Sequence, residues 1–364
     1  MKDDWAADPR IALRATPDFD LAAMDRGSTP GWAGKKKSAE RLMAERGELL
    51  AELQERMYAE GRSGGRRAVL CVVQGLDTAG KGGVARHVMG MVDPQGVALR
   101  SFGPPSAEER SHHFLWRIHQ ALPPYGKIGL FDRSHYEDVL VARVDKLVPD
   151  EVWRARYDEI NAFEKGLVDA GIVVLKFAMM VSYEEQGRRL MERLDRPDKR
   201  WKYSMSDLPT RSKWDAYQEA YADVFRLTST EYAPWHVLPA DKKWYPRLAI
   251  TEILTRAMSG MGLRWPEPGY DVAEQRAGLA ATMSTESLQA SLDDTTELVD
   301  KANTTSLLVR EEAARMSYGD TSEAAHAEAK NDLAAARRWF AADLALTVDQ
   351  KRFLLDERQG ADGG

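Results

Sequence analysis

Two short stretches concentrate the residue types that handle phosphate. The first, Gly75-Leu76-Asp77-Thr78-Ala79-Gly80-Lys81-Gly82-Gly83, combines glycines that let backbone N–H groups curl around anionic oxygens with a lysine long enough to reach a terminal phosphate. That is the pattern of a phosphate-binding P-loop. Gly75, Thr78, Ala79, Gly80, Gly82 and Gly83 are expected to line the phosphates and Lys81 to neutralise them. Gly82 stands where a serine or threonine hydroxyl ordinarily holds Mg²⁺. A carboxylate inside such a loop repels phosphate unless a cation sits between them, so Asp77 is expected to hold the Mg²⁺, directly or through water. The alternative for Asp77 is a turn-forming side chain bonded to local backbone.

The second stretch is Asp132-Arg133-Ser134-His135-Tyr136-Glu137-Asp138. Asp132 suits a Walker B acid, a second contact to the metal or its water shell, and Arg133 suits charge neutralisation on a transferring phosphoryl group. The competing reading is a structural ion pair between the two. A third feature is diffuse: residues 188–213 hold nine basic and four acidic side chains, a net of +5 in 26 residues. Arg189, Arg193, Arg196 and Arg200 recur at helical spacing, although Pro197 should break the helix partway. Charge runs are usually solvated faces; beside a P-loop, a basic lid that closes over phosphate is favoured. His112, His113 and His119 lack the spacing of a metal cluster, and Trp201, Trp214, Trp235 and Trp244 are read as core before base platforms.

Such groups need a scaffold that delivers them to one edge. The apolar run over 68–73 directly precedes the glycine loop and reads as a buried parallel strand. Further strands are predicted near 97–102, 128–132, 172–180 and 236–238. Helices are predicted over 38–60, from the glycine loop to about 92, and over 107–121, 139–143, 150–170, 183–194, 210–230 and 244–261. Strands separated by helices imply an α/β fold, three layers with a parallel sheet and helices on both faces. Residues 1–37 read as an irregular, solvated arm, 38–265 as the P-loop domain with its lid at about 188–213, and 271–364, beyond Trp265-Pro266-Glu267-Pro268-Gly269, as an acidic helical extension.

The formal net charge of the 364-residue chain is -6, which taken whole argues against a polyanionic partner. Charge acts locally, however. Residues 271–364 carry 18 acidic and 10 basic side chains, a net of -8, which leaves about +2 for residues 1–270. No apolar run approaches the roughly 20 residues of a membrane span, no secretory h-region follows the charged N-terminus, and a single cysteine, Cys71, excludes an internal disulfide framework. A cytoplasmic protein with no membrane or nucleic-acid partner is expected.

Together the motifs resemble the polyphosphate kinase 2 family: "GLDTAGKGG" at 75–83, "FLWRIHQALP" at 114–123, "DRSHYEDVL" at 132–140, "RPDKRWKYSMSDLPTRSKWDAY" at 196–217 and "STEYAPWHVLPADKKWY" at 229–245. The likeness covers about residues 38–265. It implies a thymidylate-kinase-like fold and Mg²⁺-dependent phosphoryl transfer between inorganic polyphosphate and a nucleotide, the "SHYEDVL" form being most similar to the subgroup that phosphorylates AMP and ADP. Carried over by position, Asp77 positions Mg²⁺ and the acceptor phosphate, Lys81 and the loop glycines hold phosphates, Arg133 stabilises the transferring group, and Glu137 contacts the nucleoside. Arg189, Arg193, Lys199 and Lys202 match lid positions that touch polyphosphate. Asp132 stands where members with "SHYED" commonly have Asn, and His113 where they commonly have Asp, differences that bear on metal or acceptor preference. Polyphosphate, AMP, ADP and ATP are thus the expected partners, in a homo-oligomer. An ATP-dependent nucleoside monophosphate kinase and a non-catalytic polyphosphate- or nucleotide-binding regulator are the rival readings. For the extension three remain: a solvated appendage, an oligomerisation element, or a regulatory cover.

Overall fold

The computed structural model describes residues 4–301 and 342–359. The chain divides into two compact units, Met1–Met258 and Ser259–Gly364.

In the first unit, β1 (Ala68–Gln74), β2 (Val97–Ser101), β3 (Ile128–Asp132), β4 (Ile172–Met180) and β5 (Trp235–Pro239) form one sheet in the order β2-β3-β1-β4-β5. Every pairing is parallel. Helices surround it, so the α/β architecture read from the strand–helix alternation is the one observed. All seven residues of central β1 are buried, which explains why it is apolar throughout rather than alternating, whereas edge strand β2 is half-exposed to exposed. Residues two apart share a face. Leu70 and Val72, Val174 and Ala178, and Trp235 and Val237 accordingly join one core cluster with Tyr157 and Ile160 of helix Asp150–Asp169 and Val224 and Phe225 of helix Trp214–Thr228.

The predicted helix over 107–121 is two short helices, Ala107–Ser111 and Trp116–His119. Ser106 and Glu109 make a capping box that starts the first. His112 then turns extended (φ -109°, ψ 169°), and Leu115 reaches the core. The predicted helix over 210–230 likewise divides into Asp207–Ser212 and Trp214–Thr228.

The N-terminal segment is the larger surprise. It carries little regular structure beyond Pro9–Ala12, yet it is not the free arm expected: although many of its residues are exposed, Leu13, Ala15, Leu21 and Trp32 are buried. Ala15 N–H donates to the Trp235 carbonyl at 2.8 Å and Val237 N–H to the Leu13 carbonyl at 2.8 Å. Residues 13–15 therefore pair antiparallel with β5, a short bridge at Arg14 and His236 that covers part of its otherwise open edge. No helical or strand period marks the segment because its backbone is held by a partner strand distant in sequence.

The second unit contains helices Val272–Thr282 and Thr285–Lys301 and a third over 342–359. Ala280, Leu288 and Leu355 form a small core. Lys351 Nζ donates to the Ser291 carbonyl, the Ser291 hydroxyl and the Thr295 hydroxyl at 2.6–2.8 Å. The remainder of the predicted helical extension, residues 302–341, lies outside the described residues.

Candidate active site

β1 is flanked by β3 on one side and β4 on the other: the chain runs from β1 to β2 and β3 in one half of the sheet, then crosses β1 to β4 and β5 in the other, so the strand order reverses beside β1. In parallel α/β sheets a crevice opens at the carboxyl ends of the strands where this happens. The glycine loop follows β1 there, and the register pairs Val73 with Asp132 of β3, which brings the second motif alongside the first.

The loop needs its glycines. A Cβ on Gly75 would lie 2.6 Å from the Met179 carbonyl oxygen, and Gly80 has φ +111°, a region L side chains rarely enter. Thr78, with φ +65°, takes the left-handed conformation despite its branched side chain. Lys81 Nζ donates to the Gly75 carbonyl at 2.6 Å. Burial pushes the Lys81 ammonium below its ordinary range, with Arg133 adding to the effect and Asp132, Asp77 and Glu137 opposing it.

Arg133 also has a positive φ, +64°. Its N–H donates to the Val73 carbonyl at 3.0 Å. Its guanidinium donates to Asp77 Oδ1 at 2.9 Å and lies 3.7 Å from Glu137. Arg133 thus pairs with the glycine loop, where sequence alone left open an ion pair with its neighbour Asp132. The half-buried Asp132 carboxylate has no hydrogen-bond or ion-pair partner among the described side chains. Glu137 lies under the guanidinium and accepts from Gln74 Nε2 at 3.0 Å. Burial raises its carboxyl above the ordinary range, against the pull of Arg133 and Gln74. Asp77, Lys81, Asp132, Arg133 and Glu137, two motifs 50 residues apart in sequence, therefore form one electrostatic cluster.

The four basic residues expected on the lid do not share one environment. Helix Tyr183–Asp195 rises from β4, capped by the Ser182 hydroxyl, and ends before Pro197. Arg193 donates to the Lys202 carbonyl at 3.0 Å and to Asp207 Oδ2 at 3.2 Å. Lys199 contacts Glu192, and Lys202 lies over the Trp201 ring. Arg189 differs from the expectation: it is buried, donating to Glu185 Oε1 at 2.7 Å, the Thr78 carbonyl at 3.0 Å, the Ala240 carbonyl at 2.7 Å and the Asp241 carbonyl at 2.8 Å. It braces the glycine loop from behind. One helical turn separates it from Arg193, but three carbonyls converge on the inner position and only one, that of Lys202, meets the outer.

Sequence reasoning missed Asp207, which is buried and also accepts from the Ser204 N–H at 3.1 Å, and Lys243, which stands 3.7 Å from Glu192 at the end of β5. The Asp241-Lys242-Lys243 run after a strand's carboxyl end was the available signal for the latter. Trp235 is core; Trp201 is 78% exposed. His113 pairs with Glu159, and among the described residues no group of three or more His, Cys, Asp or Glu has a metal-ligand arrangement.

A family model described as "Polyphosphate kinase 2 (PPK2)" matches residues 33–264. The C-terminal helices lie outside that match. The chain is 46% identical over 257 residues to an AMP/ADP-polyphosphate phosphotransferase of Meiothermus ruber, covering 70% of this chain and 95% of that protein. It is 38% identical over 244 residues to an ADP-polyphosphate phosphotransferase of Rhodopseudomonas palustris, covering 64% and 83%. Among solved structures, a polyphosphate kinase 2 of Arthrobacter aurescens superposes with a TM-score of 0.74 at 46% identity, over 76% of this chain and 98% of that one.

Proposed function

The chain belongs to the polyphosphate kinase 2 family, and from that premise we propose that it moves a terminal phosphoryl group between inorganic polyphosphate and AMP or ADP. The observation that carries the site assignment is the 2.9 Å contact between Arg133 and Asp77. It joins the loop after β1 to the loop after β3 beside Lys81, so the charges that phosphoryl transfer requires converge at one place.

In the transfer, the terminal P–O bond of polyphosphate breaks while a new P–O bond forms to an oxygen of the acceptor's last phosphate. The polymer leaves one phosphate shorter. The reaction asks the protein for in-line positioning and charge neutralisation rather than covalent chemistry. Lys81 and the backbone of Gly75, Thr78, Ala79, Gly80, Gly82 and Gly83 hold phosphate oxygens, and Arg133 meets the charge that develops on the transferring group. Glu137, placed under Arg133, orients it and is itself the expected contact to the nucleoside. Arg193, Lys199, Lys202 and Lys243 form the basic surface for the polymer. Arg189 acts one layer back.

Mg²⁺ fits the donors present. Asp77 and Asp132 offer hard carboxylate oxygens, and among the described residues the Asp132 carboxylate has no hydrogen-bond or ion-pair partner and the buried Thr78 hydroxyl no hydrogen-bond partner. When bound, the ion would neutralise charge on the phosphate oxygens. Cytoplasmic residence and self-assembly belong to the same proposal; no helix among the described residues is long and apolar enough to cross a membrane.

The test is to incubate the protein with AMP or ADP, Mg²⁺ and long-chain polyphosphate, with ATP omitted, and to follow nucleotides by chromatography. New ADP or ATP is expected, and its absence overturns the proposal. A parallel arm with ATP and AMP but no polymer distinguishes an ATP-dependent nucleoside monophosphate kinase.

A further inference from the structure

Beneath the Arg133 loop lies a polar cluster whose members are wholly buried: Ser134, His135, Tyr136, Glu164, Lys176 and Thr228 are each 0% exposed. Lys176 sits in the middle of β4, on an otherwise apolar strand. Its ammonium has three protons, and all three are used. It donates to Glu164 Oε2 at 2.6 Å, to the Thr228 carbonyl at 2.7 Å and to the Tyr136 hydroxyl at 2.9 Å. Glu164, from helix Asp150–Asp169, also accepts through Oε1 from the Tyr136 hydroxyl at 2.8 Å and faces His135 Nε2 at 3.2 Å.

A buried ion pair of this kind is weak evidence for stability, because apolar residues of similar volume commonly serve as well or better. What it does provide is directional geometry, which an apolar contact lacks. The residues it fixes are significant. Tyr136 and His135 lie between Arg133 and Glu137, the two side chains in contact over the glycine loop. Arg133 holds a left-handed backbone conformation that persists in a residue with a Cβ only when its surroundings over-determine it. Thr228, the third acceptor, ends the helix Trp214–Thr228 that leads back from the basic stretch.

We propose that the Lys176–Glu164 pair, acting through Tyr136 and His135, positions the Arg133 guanidinium for phosphoryl transfer. These are positioning residues; none touches the reacting atoms. The proposal rests on the assignment of Arg133 to the transferring phosphoryl group, and the experiment separates the two.

Tyr136→Phe removes one hydroxyl and keeps the ring that packs edge-on against Trp235 with centroids 4.7 Å apart. Its kcat for ADP phosphorylation is expected to fall about tenfold, with KM for polyphosphate within about twofold, the signature of a misplaced group that acts in the transition state. The decisive measurement is the same substitution in an Arg133→Lys background. If the cluster works through Arg133, Tyr136→Phe there lowers kcat by less than about twofold, whereas independent effects multiply in full. A second variant, Lys176→Met with Glu164→Gln, removes both charges together and is expected to lose kcat by a similar factor with a similar loss of coupling. Full multiplication in both backgrounds, or unchanged kcat in the charge-free pair, overturns the positioning role while leaving Arg133 in place. Unchanged kcat in Arg133→Lys itself overturns the Arg133 assignment and the proposal with it.

Discussion

Replacing Arg189 by methionine separates a brace from a polymer contact. The side chain is 3% exposed, and the substitution keeps its length while removing every donor. Three backbone carbonyls, those of Thr78, Ala240 and Asp241, lose a charged partner. Glu185 keeps Arg188, which reaches it at 2.7 Å through both Nε and a terminal nitrogen. Removing one partner from a buried charged arrangement costs about 3–5 kcal/mol, and with Glu185 still paired the lower end, about 3 kcal/mol, applies. For a unit of this size each kcal/mol moves the unfolding midpoint by roughly 2–4 °C, so Tm should fall by roughly 6–12 °C without any substrate added. Arg189→Lys should recover less than half of that, because an ammonium cannot reproduce the planar fork. The assay is thermal unfolding followed by circular dichroism, alongside KM for polyphosphate at several KCl concentrations. A residue that touches the polymer behaves oppositely: it leaves Tm nearly unchanged and makes log KM less steep in log salt by roughly one unit. A Tm within about 2 °C of the parent together with a shallower salt dependence would refute the bracing argument.

Asp77→Asn keeps the shape of the side chain but removes the charge facing Arg133, and kcat should fall by about 10²-fold or more with the Tm nearly unchanged; Lys81→Ala should abolish transfer, and full activity in either removes that residue from the mechanism. Glu137→Gln tests the buried carboxylate. Because burial raises the folded-state value above the ordinary 4.5, its favourable contribution is complete only below that value and is lost as pH rises through the raised one. The variant, neutral throughout, should therefore be more stable than the parent at pH 7–8, with the gap closing near pH 4; a constant gap in urea midpoints across that range would contradict this. Leu13→Ala should lower stability by about 2–4 kcal/mol, since Leu13 is 3% exposed where the N-terminal segment meets β5; a change below about 0.5 kcal/mol would mean that the segment does not hold the sheet edge.

How much of this was legible in the chain depends on where the determining contacts lie. β3 and β4 run over the residues predicted for them, 128–132 and 172–180, because strands buried on both faces are apolar without interruption and bounded by turn residues. The helix breaks at His112 and Lys213 were not legible, since both lie inside stretches whose composition suits a continuous helix. In the sequence Lys176 is one polar residue in an apolar strand, and nothing local marks it, because its partners Glu164, Tyr136 and Thr228 are 12, 40 and 52 residues away.

By itself the sequence determined which chemistry is possible. A P-loop writes its glycines and lysine into nine consecutive residues, and the Asp132–Asp138 cluster is equally local, so residue type and spacing sufficed to identify phosphate handling. The tertiary structure alone decided which charge serves which purpose. Arg189 and Arg193 are alike in the sequence, one helical turn apart; only the convergence of Thr78, Ala240 and Asp241 carbonyls makes the first a buried brace. The N-terminal segment likewise has no periodicity to read, because its order comes from the unpaired edge of β5, more than 200 residues away.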